Sequence, residues 1–111
     1  SDDFLGVIKL APQEAVATSG DYQRYYEAGG QRFHHLLDPQ TGLPARHAIA
    51  VTVVAPSALT ADFYSTLLFV LPPEKAITTV ENNAELGAVI VRPDNSVYVS
   101  PSLATRFEPA R

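Results

Sequence analysis

Apolar runs along the chain are short, and turn-forming residues separate them. "FLGVIKL" (4–10) is a brief apolar run with branched residues and predicts a strand. Pro12 ends it, "EAVATS" (14–19) supplies a second strand, and Gly20-Asp21 marks a turn. "YQRYYEAGGQRFHHLL" (22–37) reads as a hairpin. Its aromatic-rich arms flank Ala28-Gly29-Gly30, where glycine allows positive φ at no steric cost. Asp38-Pro39 and Thr41-Gly42 close that arm with turn chemistry. "AIAVTVVA" (48–55) is β-branched and apolar at successive positions, so it is expected as a central strand covered on both faces.

The period then changes. "PSALTADFYSTLLFVL" (56–71) predicts a helix with Ser57 or Thr60 as N-cap, and Leu59, Phe63, Leu67 and Val70 share one apolar face. Pro72-Pro73 stops this helix, and Pro73 can open another through "EKAITTVENN" (74–83), with Ala76, Ile77 and Val80 as its buried side. "GAVIVRPDNSVYVS" (87–100) predicts a second hairpin with Asp94-Asn95 at its tip, and "SLATRF" (102–107) a short helix or loop. The layout is α+β: a mixed or antiparallel sheet with two consecutive helices between β-hairpins. No internal repeat, low-complexity tract or linker interrupts it, so residues 1–111 are expected to form a single domain.

Composition narrows the function classes. A chain of 111 residues that is 46% hydrophobic and 18% charged reads as globular, with one modest core. A net charge of −4 and a pI of about 5.2 exclude nucleic acid as the expected partner, because no basic patch exists to displace counterions. Cysteine is absent, which removes disulfides and thiolate metal sites and leaves the compartment open. The longest apolar run, "LLFVL", is far shorter than the roughly 20 residues of a membrane helix. "SDDFLGVIKL" is acidic where a signal peptide would be basic. Methionine is missing altogether, and the chain reads as a processed product or, by preference, an excised segment.

Three groups of residues can carry chemistry. Asp62 and Thr66 lie four apart in the predicted helix, on one face and one turn apart. A carboxylate and a hydroxyl so placed offer two oxygens to a hard cation such as Mg²⁺, which keeps waters and takes further ligands from a phosphate. The plainer alternative is a first-turn acid favoured by the helix dipole, with Thr66 bonded back to a carbonyl. His34 and His35 are neighbours on a strand, so they point to opposite faces and do not form a chelate. One of them can serve acid–base work or a phosphate contact; equally, either can be a strand histidine with its ring nitrogens satisfied. "ATSGDY" (17–22) sets two hydroxyls, a glycine and an acid at a strand end, where backbone N–H groups can face an anion. No Walker loop and no G-x-G-x-x-G occurs.

In their order along the chain these pieces resemble the C-terminal part of the FAD:protein FMN transferases, the ApbE family, once called thiamine-biosynthesis lipoproteins. "ATSGDYQRYYEAGGQRFHHLLDPQTGLPA" is similar to the family's T-S-G-x-Y segment, hairpin and H-x-x-D-P-x-T-G signature. "VTVVAPSALTADFYSTLLFVLPPEKA" is similar to the strand and helix that carry its A-D-x-x-x-T. The resemblance covers residues 14–108. It implies Mg²⁺-dependent cleavage of FAD, transfer of the FMN half to a threonine or serine hydroxyl of a target flavoprotein, and release of AMP. By the same resemblance Asp62 and Thr66 match the metal-binding pair. His35, not His34, matches the signature histidine, acting on the pyrophosphate or acceptor hydroxyl. Thr18, Ser19 and Gly20 are expected to shape the FAD site, while Asp38, Thr41 and Gly42 hold the turn that aims His35. Leu71-Pro72-Pro73 departs from the family's Leu-Gly-Pro.

Family members are about three times as long, so half of the cofactor pocket is expected to lie elsewhere and the isolated chain to be weak or inactive. Uncovered apolar surface is expected to drive self-association, as in a homodimer. The resemblance also implies export to the periplasmic side of the bacterial inner membrane, with a lipid-anchored parent. Two other functions compete: a truncated, non-catalytic module that binds flavin or a partner protein, and an FAD pyrophosphohydrolase that needs no acceptor.

Overall fold

The computed structural model describes residues 4–20, 24–28, 33–37 and 48–110. Four strands come first: β1 (Phe4–Lys9), β2 (Ala15–Gly20), β3 (Arg24–Ala28) and β4 (Phe33–Leu37). Then follow β5 (Ala50–Ala55), helices α1 (Ala58–Val70) and α2 (Pro73–Glu81), and strands β6 (Gly87–Val91) and β7 (Val97–Val99). A short 3-10 turn (Pro101–Leu103) leads to β8 (Phe107–Pro109). The fold is α+β, as the alternating and helical patterns predicted. Among the described residues no helix is long and apolar enough to cross a membrane.

The strands form two antiparallel sheets: five strands in the order β3-β2-β5-β6-β7 and three in the order β4-β1-β8. As expected, β5 is central. All six of its residues are buried, because alternate side chains serve two different cores. Val51, Val53 and Ala55 join Ala15, Ala17, Ala88 and Ile90 of neighbouring strands against Ala61, Leu68, Ala76 and Val80 of the helices. Val54, on the other face, joins Val16 and Val89 against Ile8, Leu10 and Leu36 of the small sheet's side, together with Leu103. The molecule is therefore a three-layer stack: helices, large sheet, small sheet.

Two expectations are corrected. The first hairpin is not formed from the two arms around Gly29-Gly30: β3 pairs with β2, whereas β4 pairs with β1 in the other sheet. The reason lies in β4, where Leu36 and His34 are buried and His34 sits opposite Ile8, so this strand completes the second core. The hairpins that flank the helices are thus β2–β3 and β6–β7. The second correction concerns α1. Leu59, Phe63 and Val70 are 80%, 58% and 58% exposed, while Ala61, Ser65 and Leu68 face the sheet. Small residues at the first two buried positions let the helix sit close to the strands, and the large apolar stripe is turned outward.

Residues 102–107 are largely the expected short helix or loop, a 3-10 turn (Pro101–Leu103) followed by further turns, and strand β8 begins only at Phe107. It returns to β1, where Gly6 lies opposite Pro109, and a Cβ on Gly6 would stand 2.7 Å from the Phe107 ring. Gly87 is likewise under contact: a Cβ there would meet Leu103 at 2.6 Å. Arg106 locks this return. Its guanidinium donates to both oxygens of Glu14, at 2.9 and 3.1 Å, and to the Lys9 carbonyl at 3.1 Å. Partial burial pushes the Glu14 carboxyl up. Hydrogen bonds from Arg106 and the Ala11 N–H, with the Arg106 charge, outweigh this and hold it below its ordinary value of 4.5.

Two outcomes are expected from urea denaturation. Leu68→Ala costs about 2–5 kcal/mol, since it empties a fully enclosed site, whereas Phe63→Ala on the outward stripe costs under about 1 kcal/mol. The reverse ranking would restore the apolar stripe as the core face. Arg106→Gln costs roughly 1–2 kcal/mol at neutral pH. A depressed carboxylate pKa stabilises the fold above the ordinary value, and that contribution is lost as pH falls through the folded value. The deficit of the variant therefore shrinks below pH 4.5.

Candidate hydroxyl and carboxylate site on helix α1

The helix-facing residues of β2 are Ala15, Ala17 and Ser19, all small and all buried. Ala61 and Ser65 of α1 are equally small, so strand and helix approach closely enough for side-chain hydroxyls to meet. The Ser19 Oγ lies 2.9 Å from the Ser65 Oγ and 3.4 Å from the Thr66 Oγ1. Ser65 is wholly buried and donates its proton to the Asp62 carbonyl at 3.0 Å. Asp62 and Thr66 are half-buried and lie one turn apart, at the margin between the buried face and the exposed stripe.

Ser57, not Thr60, caps α1: its Oγ accepts the Thr60 N–H at 3.2 Å. Asp62 therefore stands beyond the first turn, which holds no acid, and the expected help from the helix dipole is correspondingly reduced.

The other anticipated residues separate. Thr18 is the neighbour of Ser19 on β2 and so points to the opposite face, where its hydroxyl bonds Thr52 at 2.8 Å. Gly20 ends the strand opposite Ala50 and is half-buried. His35 lies on β4 opposite Val7, exposed on the outer face of the small sheet, while His34 takes the buried position. Alternation along β4 makes these placements mutually exclusive. His35 and the Asp62–Thr66 pair consequently occupy opposite outer surfaces of the stack in this conformation. Asp38, Thr41 and Gly42 lie outside the described residues.

Ser65 was missed by the sequence reading. Its signal was the spacing Ala61-x-x-x-Ser65-x-x-Leu68, a narrow stripe of small residues obscured by larger apolar neighbours. Among the described residues no three His, Asp or Glu side chains cluster as a self-sufficient metal cage. The donor set is one carboxylate and one hydroxyl, both hard oxygen ligands. That fits Mg²⁺, which is ordinarily held by one or two carboxylates and completes its shell with water and phosphate oxygens.

Comparison with known proteins places this helix and its strands in context. The model of the ApbE family matches residues 1–90. A Haemophilus influenzae protein named FAD:protein FMN transferase is 46% identical over 90 residues, covering 80% of this chain and 26% of its own. A Rhodobacter capsulatus protein of the same name is 32% identical over 104 residues, covering 94% of this chain and 20% of its own. The crystal structure of the Pseudomonas stutzeri flavinyl transferase ApbE, in its apo form, superposes with a TM-score of 0.58 at 38% identity. That match covers 86% of this chain and 30% of the other. The chain spans about a quarter of the length of the curated relatives it matches. With its two sheets, its helix pair and its matched segment in common with these proteins, the chain belongs to the ApbE family.

Proposed function

We propose that this chain carries part of the site of an enzyme that transfers FMN from FAD, with Mg²⁺, to a threonine or serine hydroxyl of a target flavoprotein. The observation that carries the reading is the Asp62–Thr66 edge, braced from behind by Ser19 and Ser65, in a chain whose relatives are named FAD:protein FMN transferase. In the reaction the acceptor oxygen attacks the phosphorus of the FMN half. The bond from that phosphorus to the bridging oxygen breaks, AMP leaves with the electron pair, and the acceptor proton passes to a base. Asp62 and Thr66 would hold the cation. When bound, it neutralises charge gathering on the pyrophosphate, the largest contribution this class of transfer requires. The helix supplies positioning, because the Asp62 backbone carbonyl and the Thr66 hydroxyl both contact the Ser19–Ser65 pair.

Asp62 and Thr66 would hold the cation whether or not His35 is the base. For His35 to serve, the reacting hydroxyl would have to reach the outer face of the small sheet. The alternative reading is a module that binds flavin without transfer. The expected result for FAD, Mg²⁺ and acceptor protein with this chain is slow AMP release that Asp62→Ala lowers roughly 10²-fold. FAD binding by calorimetry with no AMP from either form would instead establish the module.

A further inference from the structure

A donor count fixes the direction of the hydrogen bonds behind Thr66. Each serine or threonine hydroxyl carries one proton and two lone pairs. Ser65 commits its proton to the Asp62 carbonyl at 3.0 Å. In its 2.9 Å contact with Ser19 it can therefore only accept, and Ser19 is the donor. With the Ser19 proton committed, the 3.4 Å contact to Thr66 has Thr66 as donor. The chain of bonds runs from Thr66 to Ser19, from Ser19 to Ser65, and from Ser65 to the backbone of Asp62.

We propose that Ser65 is a positioning residue for a cation held by Asp62 and Thr66, through a hydroxyl chain that turns the Thr66 proton inward and its lone pairs outward. A hydroxyl ligates a hard cation through a lone pair, so its proton must lie on the far side. Ser65 imposes that orientation from a position with no access to solvent. Its bond to the Asp62 carbonyl pins the same helical turn from which the carboxylate projects. Both ligands are thus set by one buried side chain. If Ser65 becomes alanine, Ser19 loses its acceptor and its proton can turn to Thr66. The direction reverses, and the Thr66 proton is driven outward, toward the cation. The inference rests on the reading of Asp62 and Thr66 as ligands, and the test separates the two.

The full chain is titrated with Mn²⁺, and paramagnetic broadening of the α1 amides is followed by NMR for the wild type, Asp62→Ala, Ser65→Ala, Ser19→Ala and the Ser19→Ala/Ser65→Ala double variant. Thermal melts are recorded in parallel. Loss of an outer-shell partner ordinarily costs 10–100-fold in metal affinity, so Ser65→Ala is expected to weaken Mn²⁺ about tenfold while its melting temperature stays close to that of the wild type. Ser19→Ala should weaken it similarly. The double variant should be no weaker than either alone, because the residues act in one chain. Should Ser65→Ala fail to fold, Ser19→Ala carries the test by itself. Wild-type affinity in the serine variants, with binding lost in Asp62→Ala, overturns the positioning role and leaves the ligand pair intact. Absence of broadening in the wild type, or its persistence in Asp62→Ala, overturns the ligand pair and the relay with it.

Discussion

The close approach of helix α1 to strand β2 is the constraint on which the rest of the structure depends. Ala15, Ala17 and Ser19 on the strand meet Ala61 and Ser65 on the helix, and the 2.9 Å hydroxyl contact at the end of this row fixes its depth. A larger side chain at any of these positions would lift the helix off the sheet. Close packing also decides rotation. With the smallest residues inward, Leu59, Phe63 and Val70 are carried outward, and Asp62 and Thr66 come to the margin between the two faces. Core formation and the placement of Asp62 beside Thr66 are then one geometric event. Polar atoms are admitted to this interface only because each hydroxyl finds a partner; an unpaired one would cost about as much as a lost hydrogen bond.

The central strand makes this arrangement possible. β5 has no side chain facing water, so its two faces can hold the helices on one side and the small sheet on the other. Thr18 and Thr52 show how far the division reaches. Their mutual bond satisfies two hydroxyls on the small-sheet face, independently of the Ser19 group one residue away on the helix face. Adjacent residues of one strand thus belong to unrelated polar groups, which is why "ATSG" reads as a single loop motif in the sequence and divides in space.

Much of the fold was legible where a local pattern decides the outcome. β5, the two helices, the Pro73 start and the β6–β7 hairpin with Asn95 at positive φ follow from periodicity and turn chemistry. The partners of β3 and β4 did not, because strand pairing between distant segments is settled by which core has room for His34 and Leu36. Neither did the buried face of α1. Hydrophobic size favoured Leu59, Phe63 and Val70, whereas fit to a strand of alanines favoured Ala61 and Ser65. The pairing of Asp62 with Thr66 follows from helical spacing alone. That Ser19 would stand behind them needed the register between β2 and α1, which no single segment contains. His34 and His35 had to diverge, and only the second core determined which of the two turned inward.

The junction of β1 and β8 has a mechanical meaning. Gly6 lies opposite Pro109, and the Ala110 N–H bonds the Leu5 carbonyl at 3.0 Å, so the two ends of the described chain leave the molecule side by side. Tension applied across those ends would load the antiparallel bonds singly, opening the strands like a zipper from Leu5 inward instead of shearing them all at once. The Arg106–Glu14 clamp sits at the far end of that seam, where the fork would arrive last.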